Sequence, residues 1–153
     1  MTGGFSVQGN AVSDYFQLTG PQQVSAAMPA WEPHFTQFDT VIGYSALGHA
    51  FLADSRTRNY AVLHPYSAGA KSYGFFPERT DFITDVLLDP GFGTYVLRTD
   101  HVDTIRQLHG PLDEGHVYIA TPYPFLGGNE DPGTYTKGDV WVFLDLVADA
   151  HGL

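Results

Sequence analysis

Short runs of β-branched and aromatic residues alternate with polar turns in the second quarter of the chain. The runs occupy residues 40–44, 50–53, 60–63 and 71–76, and they are rich in the residues that strands favour. The polar segment 54–59 between two of them is typical of a hairpin loop. Because the runs follow one another with short connections, they predict an antiparallel meander.

The second half of the chain changes to helical spacing. Apolar residues recur every third or fourth position in three segments, each closed by a proline or glycine. This pattern predicts amphipathic helices over residues 81–88, stopped by Pro90-Gly91, over residues 100–109, and from Val140 to Gly152. A further strand is predicted at residues 117–120, and a long loop from Thr121 to Gly138.

The C-terminal helix has the clearest pattern. Val140, Phe143, Leu144 and Val147 follow the i, i+3, i+4, i+7 spacing of a buried helix face. Thr136 with Asp139 resembles a capping box in which Asp replaces Glu.

The first 40 residues are more irregular. Val12, Tyr15, Phe16 and Leu18 form a short helical stripe, a second helix is predicted over residues 22–27 behind Pro21, and Pro29 and Pro33 end it. We therefore expect an α+β fold in one domain, with an antiparallel meander sheet of about five strands packed against three or more helices. Residues 1–40 are expected to form a helical or irregular segment on the main α+β domain of residues 41–153.

The charge of the chain excludes some classes of function. Its 153 residues include 17 Asp and Glu but only 7 Lys and Arg, a formal net charge of -10. A field of this sign repels a phosphate backbone, so nucleic-acid binding is not expected. An acidic surface serves either solubility or the recognition of a basic partner. The sequence has no cysteine, no run long enough to span a membrane and no secretory signal pattern, so we expect a cytoplasmic protein.

Enzymatic chemistry finds little support in residue spacing. His49, His64 and His116 lie on or near strands and, with Asp54, form the set on which a metal-dependent or hydrolytic enzyme would be built. No helical His-x-x-x-His or His-Glu-x-x-His motif supports such a site. Ser45 lies between two glycines as in a nucleophile elbow, but the segment has one residue too many and strand follows it. We expect no enzyme activity, metal or cofactor. A ligand-binding module with an aromatic pocket remains a third hypothesis.

Acidic rows and one aromatic loop are the predicted partner-binding features. Asp81, Asp85 and Asp89 recur every fourth residue, as do Asp145 and Asp149 in the last helix. Such rows are usually solvated helix faces. If one of them binds, a basic protein surface is the expected partner. The loop between Thr121 and Gly138 adds exposed aromatic and acidic candidates, because tyrosines are common anchors of binding interfaces. These candidates are Tyr123, Glu130, Asp131 and Tyr135.

Several ordered motifs resemble a known family. They are residues 41–52, the hairpin ending at 62–65, the helix at 81–88, Gly110-Pro111-Leu112, residues 117–122, residues 125–128 and the terminal amphipathic helix. Together they resemble the C-terminal domain of the Tdi-type immunity proteins of type VI secretion systems, which is often found behind a GAD-like region. The resemblance covers about residues 41–153. Gly43, Gly48, Gly127 and Gly128 match the family pattern and are interpreted as positions of special backbone geometry.

The resemblance implies a cytoplasmic protein that binds and blocks a cognate toxin, which in this family is typically a nuclease effector. An acidic domain suits this role, because it can occupy the basic substrate groove of a nuclease as a phosphate mimic. The immunity function is the leading hypothesis, and the enzyme and ligand-binding hypotheses are its alternatives.

Overall fold

The computed structural model describes residues 12–153, and its main element is a five-stranded antiparallel sheet in the order β1-β2-β3-β4-β5. Each strand pairs with the next along the chain, so the predicted meander is confirmed. The strands are β1 (Phe16–Gln23), β2 (Thr40–Ser45), β3 (Ala50–Ala53), β4 (Asn59–His64) and β5 (Gly69–Phe75).

The central strands are buried on both faces, because each face of the sheet carries its own core. Val41, Leu52 and Leu63 point to one face, where Trp31 and the C-terminal helix pack. Phe51 and Val62 point to the other face, where the helices that follow β5 pack. This alternation explains why β2 to β4 read as nearly continuous apolar runs.

Within residues 12–153, five helical segments surround the sheet, and two of them change from α to π geometry along their length. The segments are α1 (Val24–Ala27), α2 (Arg79–Phe82, continuing as a π turn over Ile83–Leu87), α3 (Pro90–Phe92, continuing as a π turn over Gly93–Leu97), α4 (Thr99–His109) and α5 (Val140–His151). Short 3₁₀ turns lie at Val12–Asp14, Pro29–His34, Pro124–Leu126 and Pro132–Thr134. No helix within residues 12–153 has the length and apolar character that crossing a membrane requires.

A second, two-stranded sheet lies beside the first. It consists of β6 (His116–Ala120) and β7 (Tyr135–Asp139), which pair antiparallel. Together with α4 it forms a third apolar cluster that includes Val102, Ile105 and Tyr118. The backbone N–H of Tyr118 donates to the carbonyl of Ala46 at 2.8 Å, which ties the small sheet to the turn after β2.

The terminal helix forms as its pattern predicts, although its cap differs. Its predicted face of Val140, Phe143, Leu144 and Val147 is buried, and each such side chain contributes roughly 1.5–3 kcal/mol of hydrophobic stabilisation. The carboxylate of Asp139 accepts hydrogen bonds from two backbone N–H groups of the first turn at 2.9 and 3.0 Å. Asp139 alone therefore caps the helix, and the predicted role of Thr136 is wrong because Thr136 lies within β7.

Three other predictions of local structure are corrected. The predicted helical stripe from Val12 to Leu18 is wrong, because residues from Phe16 onward form β1 and pair with β2. Pro90 does not end the helical region but starts α3 as its first residue, with Asp89 as N-cap. The strand at 117–120 is confirmed as part of β6, but the predicted loop from Thr121 to Gly138 is wrong at its end, which belongs to β7 and pairs with β6. The first eleven residues of the predicted segment 1–40 lie outside the described residues.

Candidate functional site

The β3–β4 hairpin brings two histidines face to face. Ala50 pairs with Leu63 in the antiparallel register, so His49 and His64 lie opposite each other at the open end of the hairpin. Their ring centroids are 4.9 Å apart and the rings are nearly perpendicular. Both line one cleft of about 280 Å³, which we call the histidine cleft. Its other principal residues are Arg98, Glu130, Tyr66 and Tyr95.

Ser45 orients His49 from within the sheet. The Ser45 hydroxyl accepts hydrogen bonds from the backbone N–H groups of His49 (3.0 Å) and Leu47 (3.3 Å). Its two acceptor positions are thereby used, so its own proton is donated to His49 Nδ1 at 2.7 Å. A neutral His49 then carries its ring proton on Nε2. Ser45 is 1% exposed, and it serves as an orienting group rather than as an accessible nucleophile.

The environment of the two rings disfavours their charged forms. Burial lowers the pKa of His49 to about 3, and the neighbouring His64 and Arg98 add to this effect. Burial also lowers the pKa of His64, with a contribution from Lys71. The two rings are therefore neutral at physiological pH, which is why they can lie so close together.

An ion pair between two strained residues forms another part of the cleft. Arg98 Nη1 donates to Glu130 Oε1 at 2.7 Å. Both residues have a left-handed backbone, with φ of 53° at Arg98 and 58° at Glu130. Non-glycine residues in this region cost about 1–3 kcal/mol each and concentrate at ligand-binding and active sites. The pairing of two such residues marks this cleft as a candidate functional site.

A partly buried hydrogen-bond network supports the ion pair. The hydroxyl of Tyr135 donates to Glu130 Oε1 at 3.3 Å and lies 3.0 Å from Nε2 of His101. Burial raises the pKa of the Tyr135 hydroxyl, and the charge of Glu130 raises it further. Tyr135 therefore stays protonated and able to donate to Glu130.

The enzyme hypothesis is only partly matched by this geometry. Among its four residues, His49 and His64 converge, but His116 and Asp54 lie elsewhere. His116 lines a different small pocket beside Tyr44, and Asp54 accepts backbone N–H bonds within the β3–β4 turn. Within residues 12–153, no group of three or more His, Cys, Asp or Glu side chains is arranged to hold a metal ion.

The predicted row of three aspartates is divided by the helix geometry. The carboxylate of Asp81 accepts from the backbone N–H of Glu78 at 3.0 Å and so belongs to the cap of α2. Asp89 caps α3 by accepting from Phe92 N at 3.2 Å. Asp85 and Asp89 nevertheless line one shallow cleft of about 300 Å³, which we call the aspartate cleft. Lys71, Tyr73 and Tyr95 line it as well.

The four residues predicted in the long loop have different environments. Tyr135 is 3% exposed, which corrects the expectation of an exposed aromatic there. Tyr123 is half-buried, because its ring stacks on Phe125 with centroids 5.7 Å apart. Asp131 is exposed but accepts from Gly133 N at 2.9 Å as the cap of a 3₁₀ turn. Glu130 faces the histidine cleft.

Tyr95 is the feature that sequence reasoning missed. Its side chain is 81% exposed, more than any other large apolar residue within residues 12–153. It lies in the π turn of α3 and borders both the histidine cleft and the aspartate cleft. No sequence signal marked Tyr95, because the pattern around Pro90 predicted an end to the helix rather than a new start.

The four glycines singled out in the sequence occupy positions where a side chain would overlap other atoms or strain the backbone. At Gly43 and Gly128 an added Cβ would overlap a backbone carbonyl, of Gln17 and Pro122 respectively. Gly48 and Gly127 have φ of 92° and 99°, in the left-handed region. Their interpretation as backbone-geometry positions agrees with the structure.

Comparison with known proteins supports the fold alone. The sequence matches no protein family model and no curated protein. The fold is similar to that of Atu4351 from Agrobacterium tumefaciens, known from a crystal structure, with a TM-score of 0.61. The similarity covers 90% of this chain and 67% of Atu4351, at 15% sequence identity. At this identity the likeness concerns backbone architecture and carries no information about ligands or partners.

Proposed function

We propose that this protein acts by binding another protein, and that it is an immunity protein that neutralises a cognate basic toxin in the cytoplasm. The class of partner is suggested by the family resemblance of residues 41–153 and by the net charge of -10. The proposed contact surface is centred on Tyr95 and includes Asp85 and Asp89 of the aspartate cleft.

The exposure of Tyr95 is the observation that carries this proposal. A tyrosine side chain left 81% exposed loses the hydrophobic stabilisation that burial would give, about 1.5–3 kcal/mol for a large side chain. Tyrosines are enriched among the residues that dominate binding energy, because the ring is large, stiff and carries a polar end. Docking a partner on Tyr95 would recover that stabilisation.

The position of Tyr95 within one of two neighbouring π turns supports the same surface. The π turns Ile83–Leu87 and Gly93–Leu97 lie on either side of Asp89. Such turns are rare in proteins overall, but those that occur are frequently at functional sites. Asp85 is exposed and makes no side-chain hydrogen bond or ion pair within residues 12–153. Its charge is therefore available to a lysine or arginine of a partner.

The acidic charge would chiefly accelerate the encounter with a basic partner. Complementary charges raise association rates and select partners more than they raise final affinity. A nuclease toxin has a basic groove for its substrate, so an acidic surface with one aromatic anchor fits it better than a neutral surface.

Co-expression with the product of the neighbouring gene tests the function. We expect a complex that survives purification and relief of toxicity in the host. The absence of both would overturn the proposal.

Substitutions then test the surface by titration calorimetry. Tyr95→Ala should weaken binding by roughly thirtyfold, the effect of losing about 2 kcal/mol at an interface anchor. Leu108→Ala is the matched control, because Leu108 is also exposed, at 59%, and lies on α4. In stopped-flow measurements at low salt, Asp85→Asn should slow association, whereas Asp145→Asn on α5 should not. Equal affinity of wild type and Tyr95→Ala would exclude this surface.

A further inference from the structure

The histidine cleft contains several hydrogen-bond donors that the fold leaves unused. Ser45 fixes the proton of neutral His49 on Nε2, and this atom has no partner within residues 12–153. This atom also has access to solvent. Within that range the side-chain atom that is both fully buried and unpartnered is Thr19 Oγ1, not His49 Nε2. The ring nitrogens of His64 are likewise unpartnered there, and Arg98 uses Nη1 for Glu130.

These donors are held in place before any ligand arrives. His49 is oriented by Ser45, which is itself fixed by two backbone N–H groups. Arg98 is held by Glu130, and Glu130 by the hydroxyl of Tyr135. Preorganised groups lose little conformational entropy on binding, so such an arrangement favours a ligand that accepts hydrogen bonds.

The donors in the cleft outnumber its free acceptors, which are the second carboxylate oxygen of Glu130 and the unprotonated ring nitrogen of neutral His64. The charge of Glu130 is balanced by Arg98 at 2.7 Å. Tyr66 accepts from the backbone N–H of Ala120 at 3.1 Å. The free polar capacity is therefore mainly donor capacity, and the remaining N–H groups of the Arg98 guanidinium beside the imidazole N–H groups match a carboxylate or phosphate.

The size and walls of the cleft define the rest of the ligand. Its volume of about 280 Å³ is at the lower end of ligand pockets, which span roughly 300–1,000 Å³. Leu47, Val96 and Pro124 supply apolar walls, and Tyr66 and Tyr95 supply aromatic ones. The ligand thus combines one anionic group with a small apolar or aromatic body.

We infer that the histidine cleft is a binding site for a small organic anion that carries one carboxylate or phosphate group. His49 Nε2–H and Arg98 bind the anionic oxygens, His64 adds a donor, and Tyr66 and Tyr95 contact the body of the ligand. Tyr95 also belongs to the partner-binding surface proposed above, but this inference rests on His49, His64 and Arg98 and does not require that function.

Side-chain ¹H–¹⁵N NMR of the histidines tests the inference with three small compounds that share a phenyl ring. Benzoate and phenyl phosphate carry the anionic group, and benzamide is the neutral control. At constant ionic strength, both anions should shift the His49 and His64 resonances in a saturable manner, while His116 outside the cleft should not respond. Equal shifts with benzamide, or no shift with either anion, would overturn the inference.

Substitution of Arg98 tests whether the anion binds in the histidine cleft. Arg98→Gln should weaken benzoate binding at least about tenfold, as expected for the loss of one charge-assisted contact. Arg56→Gln should bind as the wild type does, because Arg56 lies in the β3–β4 turn and is 80% exposed. Wild-type affinity in Arg98→Gln would refute the site. If that variant does not fold, the contrast between benzoate and benzamide on the wild type decides.

Discussion

Acidification from about pH 7 to about pH 5 should destabilise the protein through His49. Burial, His64 and Arg98 lower the pKa of this ring to about 3 in the folded state, whereas an unfolded histidine has a pKa of about 6.5. The folded state therefore binds fewer protons than the unfolded state between these two values. Its stability is complete above the unfolded pKa and falls as the pH falls through this window.

The size of the effect follows from the same two values. At pH 5 an unfolded histidine is almost fully protonated while His49 remains neutral, which costs the folded state about 2 kcal/mol by the relation RT ln(1 + 10^(pKa−pH)). Carboxylates contribute little in this interval. Hydrogen bonds lower the pKa values of Asp39 and Asp54. Their contribution to folding stability is therefore lost only as the pH falls below about 4 to 5.

Urea unfolding at the two pH values, followed by tryptophan fluorescence, measures this loss. The wild type should lose about 2 kcal/mol more between pH 7 and pH 5 than the variant His49→Gln, in which the titrating ring is absent. His116→Gln is the control and should retain the wild-type dependence on pH, because His116 lies outside the cleft. The same loss in wild type and His49→Gln would refute the assignment of a depressed pKa to this ring.

Two further pairs of substitutions test the fold that holds the site, with urea midpoints as the measurement. Gly48→Ala should cost about 2–4 kcal/mol, since it combines a left-handed φ of 92° with overlap on the ring of Phe143. Gly74→Ala, with φ of 86° but open space around its Cβ position, should cost only about 1–2 kcal/mol; equal losses would contradict the packing argument. Asp139→Ala should cost about 1 kcal/mol by removing the cap of α5, and Asp139→Asn should restore most of it. An unchanged midpoint in Asp139→Ala would show that the cap contributes nothing.

The sequence predicts those strands and helices whose apolar residues repeat with a single regular spacing. β2 to β5, α4 and α5 each carry a local pattern strong enough to identify them. β1 lacks such a pattern, because Leu18 is exposed and Gly20-Pro21 interrupts the strand. It forms because β2 offers an edge to pair with, and that pairing is a tertiary effect. β7 has one buried residue, Tyr135, and for the same reason resembles a loop.

One half of the histidine cleft can be predicted from the sequence, and the other half cannot. A hairpin that pairs Ala50 with Leu63 necessarily places His49 opposite His64, so this contact follows from the predicted strands and their register. The contact of Arg98 with Glu130 does not follow from any pattern. These residues are 32 positions apart, and both depend on a left-handed backbone that non-glycine residues adopt only when the surrounding structure imposes it.

The histidine cleft forms only when the whole described fold is in place, because its residues come from separate elements. His49 and His64 lie on the β3–β4 hairpin of the main sheet, whereas Arg98 is the N-cap of α4 and Glu130 precedes β7. The cleft therefore lies at the seam between the two sheets. Tyr66 crosses this seam by accepting the backbone N–H of Ala120 at 3.1 Å. Binding sites commonly form at such junctions, because side chains from separate units can converge there without disturbing either core. A group bound in the cleft would contact both units at once and would therefore stabilise their association as well as occupy the site.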